Sequence, residues 1–197
     1  MGEYVETKST LQILKDTITN PKVLFCSLMY FGTAVTGSSS SFFLPSILEQ
    51  LGWTSLKAQY MSILIWLVGW AFSIVNGFVS DKVQRRWLFF CVPLCFSVIG
   101  YALLIAQSHI AVSIRYMALF FAVGDCFAAI ALSLTWMNNN ILGSKKRGIV
   151  SAAILALGNC GSVLGSNIYL SFEAPGYLTG FSVSLSAIIP AQVSAIV

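Results

Sequence analysis

The stretch Gly77-Phe78-Val79-Ser80-Asp81-Lys82-Val83-Gln84-Arg85-Arg86 decides the fold. One acid and three bases stand together in it, and the runs on either side carry almost no charge. Charged residues make up 9% of the chain and apolar residues 57%. An ordinary soluble domain carries about 25% charged residues. A helix needs about 20 mostly apolar residues to cross the hydrocarbon core of a bilayer. Six segments meet that need, at 23–48, 57–80, 87–107, 113–138, 148–171 and 178–197. The expectation is an all-α membrane protein folded as a six-transmembrane-helix bundle, with the lipid bilayer as its solvent.

Residues 1–22 form a separate polar segment. Glu3, Glu6, Lys8, Lys15 and Asp16 interrupt it, so it has no apolar core of the kind a signal peptide needs. Leu11, Ile13, Leu14 and Ile18 give it a partial helical stripe, which Asn20-Pro21 ends.

The bases alternate between loops. Lys8, Lys15 and Lys22, then Lys82, Arg85 and Arg86, then Lys145, Lys146 and Arg147 belong to one set, and only Lys57 and Arg115 to the other. Short loops rich in Lys and Arg stay on the cytoplasmic side. The N-terminus and the Gly77–Arg86 loop are therefore expected inside. The net charge of +4 reflects this topology and an anionic inner leaflet. No basic surface interleaved with aromatics accompanies it, so a nucleic-acid partner is not expected.

Other chemistry is poorly represented. Cys26, Cys91, Cys95, Cys126 and Cys160 all fall within the spans, where they read as small buried residues rather than bridges. Cys91 and Cys95 share a helix face but lack further ligands, so no metal is expected. His109 reads as a loop residue. No paired carboxylates and no nucleophile with its base appear in the spans, which argues against an enzyme and any cofactor.

Within lipid, close helix contact relies on small residues. Gly69, Ser73 and Gly77 recur four apart in the second span, and Gly158, Gly161 and Gly165 share a face of the fifth. Such stripes suit static packing, a sliding seam, or both. Gly32-Thr33 and Thr36-Gly37-Ser38-Ser39-Ser40-Ser41 place many hydroxyls in the first span, a density that suits protein or a wet cavity better than lipid. Pro45 can kink its outer end. Asp125 lies near the centre of the fourth span. An acid there costs about 2.5–3.5 kcal/mol on insertion scales and usually faces a cavity. It reads either as a proton-carrying or substrate-orienting carboxyl, or as a neutral acid held by a neighbour. Trp136, Asn138, Asn139 and Asn140 close the same span, and Asn159 needs amide partners within the fifth.

Asp81 stands where the second span is expected to end. A helix C-terminus does not favour an acid. Compensation from Lys82, Arg85 or Arg86 would make either an anchor or a cluster that breaks and re-forms, as a gate requires.

The pattern Gly77, Asp81, Lys82, Arg85, Arg86 resembles the cytoplasmic loop signature of the major facilitator superfamily. Phe43-Leu44-Pro45-Ser46-Ile47-Leu48 with Leu51-Gly52 and Ala58-Gln59-Tyr60 resembles the fungal allantoate permease group of anion:cation symporters. So do Trp136-Met137-Asn138-Asn139-Asn140 with Gly143, Lys146 and Arg147, and Gly158-Asn159-Cys160-Gly161 with Ile168-Tyr169, Ala174-Pro175 and Tyr177. The resemblance implies that residues 23–197 are the second six-helix half of a twelve-helix transporter and that residues 1–22 belong to its central loop. It implies proton-coupled uptake of a small organic anion or vitamin by alternating access, in the plasma membrane, with an N-terminal six-helix half as partner. In the superfamily, spans seven and ten border the cavity. That correspondence makes Thr33, Thr36, Ser40 and Asp125 candidates for its wall, although the family often has a small residue where Asp125 stands. Gly77, Asp81, Lys82, Arg85 and Arg86 would bias the inner gate. A bare end at Val197 and the missing half suit a second reading, a truncated fragment inactive in transport.

Overall fold

The computed structural model describes residues 19–83, 86–106, 110–124, 126–140, 144–169, 173 and 176–196. The helices are α1 (Pro21–Gln50), α2 (Ser55–Val83), α3 (Arg86–Ile105), α4 (Val112–Gly124), α5 (Cys126–Asn140), α6 (Ser144–Gly165) and α7 (Leu178–Ile196). Among the described residues there is no strand. The α4–α5 pair supplies one apolar run from Val112 to Thr135, so the seven helices among the described residues make six candidate crossings.

Five of those crossings are long and apolar enough to span a membrane, and α1 is not one of them. Its hydroxyl run dilutes its apolar character, although its 30 residues give it ample length. The fold resolves this by burial. α1 packs most extensively on α6 and α7 and also touches α2, α4 and α5, which places the least lipid-compatible helix at the bundle's centre. The outer helices face the other way. Leu56, Tyr60, Trp70 and Phe78 of α2 are 69%, 68%, 65% and 70% exposed, as a lipid-facing surface requires.

Local chemistry sets the ends of α1. Asn20 caps its start, accepting from the Lys22 N–H at 3.0 Å, and Pro21 occupies the first turn, where a missing N–H costs nothing. Leu51 and Gly52 close its far end, with Gly52 at φ +93°, a conformation open to glycine.

Glycines set the spacing between helices. A Cβ at Gly161 would stand 2.6 Å from the Phe31 carbonyl oxygen, one at Gly165 would collide with the Val35 carbonyl oxygen, and one at Gly158 with the Tyr30 ring. These three positions form a seam along which α1 and α6 run parallel, backbone on backbone at Gly161 and Gly165 and against the Tyr30 ring at Gly158. Gly32 brings α1 equally close to Ala187 and Ala191 of α7. Gly69 lies against Gly124, where a Cβ would stand 3.0 Å from the Gly124 carbonyl oxygen. Gly77 differs: no atom would lie within 4 Å of its Cβ. Ser73 between them is half-buried.

Gly161→Leu is therefore expected to destabilise the bundle by about 1–3 kcal/mol, the usual cost of overpacking, and to lower the thermal unfolding midpoint in detergent. Gly77→Ala is expected to hold or slightly raise that midpoint, since Gly in a helix interior costs about 1 kcal/mol relative to Ala. Equal losses for both variants would show that the seam is not the tight contact described.

Candidate functional site

A hydroxyl proton removed from water needs an acceptor, and α1 supplies acceptors from its own backbone. Thr33 Oγ1 donates to the carbonyls of Met29 (3.1 Å) and Tyr30 (2.9 Å), Thr36 Oγ1 to Thr33 (3.0 Å), and Ser39 and Ser40 Oγ to Thr36 (3.0 and 2.7 Å). Ser38 and Ser41 do the same to Ala34 and Gly37. Each bond uses the hydroxyl proton and leaves oxygen lone pairs to accept. Thr33, Thr36 and Ser39 are fully buried and Ser40 nearly so. The hydroxyl run thus faces protein. Within the run, Ser41 is exposed and Ser38 half-buried.

Four other elements close around this run. Cys126 Sγ, at the start of α5, donates to Thr36 Oγ1 at 3.3 Å. Tyr101 comes from α3, Ser184 from α7, and Tyr169 from the turn after α6, all buried. Aromatic packing seals the cluster towards the Gln50 end of α1. Phe43 stacks on Tyr169 at 4.9 Å, and Phe181 and Tyr177 meet the same ring edge-on at 5.5 and 5.6 Å. Gln50 Nε2 donates to Tyr177 Oη at 2.8 Å, tying the end of α1 to the start of α7. Phe43, far away in the chain, therefore forms one plug with Tyr169 and Tyr177.

The residues around the charged loop are arranged differently from the expectation in one respect. α2 continues through Val83, so Asp81 and Lys82 lie in its last turn rather than beyond a span ending at residue 80. Both are exposed. Lys82 favours the negative end of the helix dipole there. Arg85 lies outside the described residues. Arg86 opens α3, and its side chain lies outside what is described. Asp125 also lies outside the described residues, between α4 and α5. Asn138 Oδ1 accepts from Ser151 Oγ at 3.2 Å, joining α5 to α6. Asn159 is on the exposed side of α6.

A contact between α2 and α3 near the charged motif comes from a residue not singled out in the sequence. Pro93 has no N–H, so the Phe89 carbonyl four residues earlier loses its helical partner. Asn76 of α2, 7% exposed, donates Nδ2 to that oxygen at 3.0 Å. One interhelical bond thus repairs the proline's defect and holds α2 against α3 near the charged motif. Its sequence signal is weak: an Asn in one apolar span and a Pro in the next.

Among the described residues, no group of His, Cys, Asp or Glu could hold a metal ion. The enclosed cluster has hydroxyls, a thiol and aromatic rings but no charged side chain. Such a set can fix helices in register or line a path, and it offers no nucleophile with its base.

The Major Facilitator Superfamily model matches residues 4–190. The chain belongs to the major facilitator superfamily. An uncharacterized transporter of Schizosaccharomyces pombe is 32% identical over 175 residues, covering 89% of this chain and 34% of that protein. The MFS-type transporter cnsO of Penicillium expansum is 33% identical over 172 residues, 82% of this chain and 33% of that protein. The MFS transporter prlL of a fungal species is 29% identical over 168 residues, 84% of this chain and 34% of that protein. The chain spans about a third of the length of these curated relatives. As a major facilitator chain it belongs with transporters, not enzymes, and its six crossings fit half of that fold.

The Asn76 contact can be tested by a double-mutant cycle. Asn76→Ala is expected to cost about 1–3 kcal/mol, because it leaves the Phe89 carbonyl buried and unpaired. In a Pro93→Ala background the backbone N–H is restored, and the same change is expected to cost markedly less. Equal costs in both backgrounds, read from chemical unfolding in detergent, would refute the repair.

Proposed function

We propose that this chain is one six-helix half of a proton-coupled transporter that takes up a small organic anion or vitamin by alternating access. The observation that carries the reading is the α1–α6 seam. Glycines bring the two backbones into contact there, with the Tyr30 ring set against Gly158, and α1 keeps its hydroxyl protons bonded within itself. A helix built this way can move as a body against its neighbours, which is what rocking bundles need. Substrate would bind near the midplane, between this half and a second one. Membership in the superfamily, and relatives named as transporters, support transport.

The finer assignments rest on sequence. The allantoate permease group supplies the substrate class. Asp125 is the carboxyl assigned to proton coupling, because an acid in mid-span is costly unless it has work to do. Thr33, Thr36 and Ser40 back the cavity wall from within the bundle, and Ser38 and Ser41 offer accessible hydroxyls of the same helix. Gly77, Asp81, Lys82, Arg85 and Arg86 bias the inner gate. The alternation of bases places the N-terminus in the cytoplasm, and the plasma membrane suits uptake of this kind. No basic residue lies in mid-span, so a cation for an anionic substrate would come from the other half.

The full-length protein, expressed in cells that lack uptake of these acids, is expected to import labelled nicotinate, allantoate or pantothenate faster at acidic than at neutral external pH. Absence of pH-dependent uptake for all three would sink the substrate class. Asp125→Asn, at normal surface abundance, is expected to abolish the pH dependence, and an unchanged pH profile would remove Asp125 as the coupling carboxyl. Asp81→Asn is expected to slow uptake several-fold at both pH values. A chain that imports nothing alone, but does so once joined to six further spans, would identify it as an inactive half.

A further inference from the structure

Two bases belong neither to the charged motif nor to the hydroxyl cluster. Lys57 stands in the first turn of α2 and Arg115 in the first turn of α4. Asp81 and Lys82 lie in the last turn of α2, so Lys57 is at the opposite end of the bundle. Arg115 is at that same end. Its neighbour Tyr116 donates Oη to the Met61 carbonyl at 3.2 Å and meets the Trp53 ring edge-on at 5.0 Å.

Both cations reach back from their helices towards the turns that precede them. Lys57 Nζ stands over the Trp53 ring, 5.3 Å from its centre. Arg115 Nε donates to the Ile110 carbonyl at 3.0 Å. Long basic side chains run this way to bring their charge to the headgroup layer, where Trp and Tyr also gather. The bond to Ile110 holds the guanidinium in place and leaves its terminal N–H groups to donate. Among the described residues no acid pairs with either base. Glu173 is committed to Thr179, whose N–H it accepts at 3.0 Å, and Glu49, exposed in the last turn of α1, bonds neither base. Helix stability does not account for these bases, because an opening turn favours acids. Their positive charge is therefore uncompensated, and Leu56, Ile114 and Met117 beside them are 69%, 49% and 56% exposed.

We infer that Lys57 and Arg115, with the Trp53–Tyr116 pair, form a binding site for the phosphate of an anionic phospholipid in the leaflet at this end of the bundle. A phosphate oxygen only accepts, which suits a guanidinium fork and an ammonium together. The phosphate accepts from the terminal nitrogens of Arg115 and from Lys57 Nζ, and the acyl chains cover Leu56, Ile114 and Met117. The apolar surface selects a lipid over a free anion. The lipid ties the start of α2 to the start of α4. The site rests on the chain lying in a membrane and not on which substrate it carries.

Native mass spectrometry of the full-length protein, titrated with phosphatidylglycerol in detergent, tests this. At limiting lipid the wild type is expected to retain one phosphatidylglycerol more than Lys57→Gln/Arg115→Gln, whose affinity for that lipid falls about tenfold. The same number retained at the same affinity overturns the site. Phosphatidylcholine with matching acyl chains is expected to bind the two proteins alike. A loss of phosphatidylcholine as large as that of phosphatidylglycerol shows that apolar contact, not charge, was removed, and overturns the proposal. Inorganic phosphate distinguishes the two sources of the anion. It is expected to leave the lipid in place at millimolar concentration, and displacement of the lipid by phosphate in the wild type assigns the site to a free anion instead. If the double variant fails to fold, Lys57→Gln alone decides from its exposed position, with a loss of about fivefold expected and no loss overturning the site.

Discussion

Every hydroxyl proton taken into this bundle needs an acceptor, and that requirement places α1. In lipid an unbonded polar group costs several kcal/mol. Thr33, Thr36, Ser38, Ser39, Ser40 and Ser41 meet the cost by bonding back to their own helix. Their oxygens still present polar surface, which lipid does not solvate and protein can. Burial of α1 at the centre follows, and the more apolar helices take the outside.

Two further constraints complete the architecture. Central burial needs close neighbours, and glycine at 32, 158, 161 and 165 removes the side chains that would hold α6 and α7 away. Prolines create the other constraint. Pro93 strips a partner from the Phe89 carbonyl, and Asn76 restores it from the next helix. A defect in one helix thereby becomes a contact between two, near the end of α2 where Asp81 and Lys82 lie.

Much of this is legible in the sequence, for identifiable reasons. The crossings show as charge-free runs, and the family shows in the Gly77–Arg86 stretch. The Ser and Thr run marks the first span as different from the rest. Which of its hydroxyls are enclosed is not legible, because that depends on how the helix is rotated, and four successive serines give no direction. Thr33, Thr36 and Ser40 are interior, while Ser41 reaches the surface. The end of α2 lies later than hydropathy implies, because hydropathy reports where lipid stops, and a helix can continue a turn into water through Asp81 and Lys82. Asn76 carries only a weak sequence signal, and Tyr101 none of its own. Asn76 matters only because Pro93 frees a carbonyl beside it in space, and Tyr101 resembles any other aromatic in an apolar run. Asp125 and Arg85 lie outside the described residues, so their roles stand on sequence alone.

The self-bonded hydroxyls of α1 have a mechanical consequence. A polar core helix normally resists displacement, because each step must break bonds to its surroundings before new ones form. α1 carries most of its acceptors with it, as a shaft carries its own bearing surface. Translation or rotation of the whole helix leaves those internal bonds intact and changes mainly dispersion contacts. At about 1.5 Å per residue, its 30 residues make a strut long enough to reach both headgroup layers. Among the described residues, its side-chain bonds to other elements include Cys126 on Thr36 in the middle and Tyr177 on Gln50 at one end. A displacement of α1 at one face of the membrane would then reach the other face through one continuous helix.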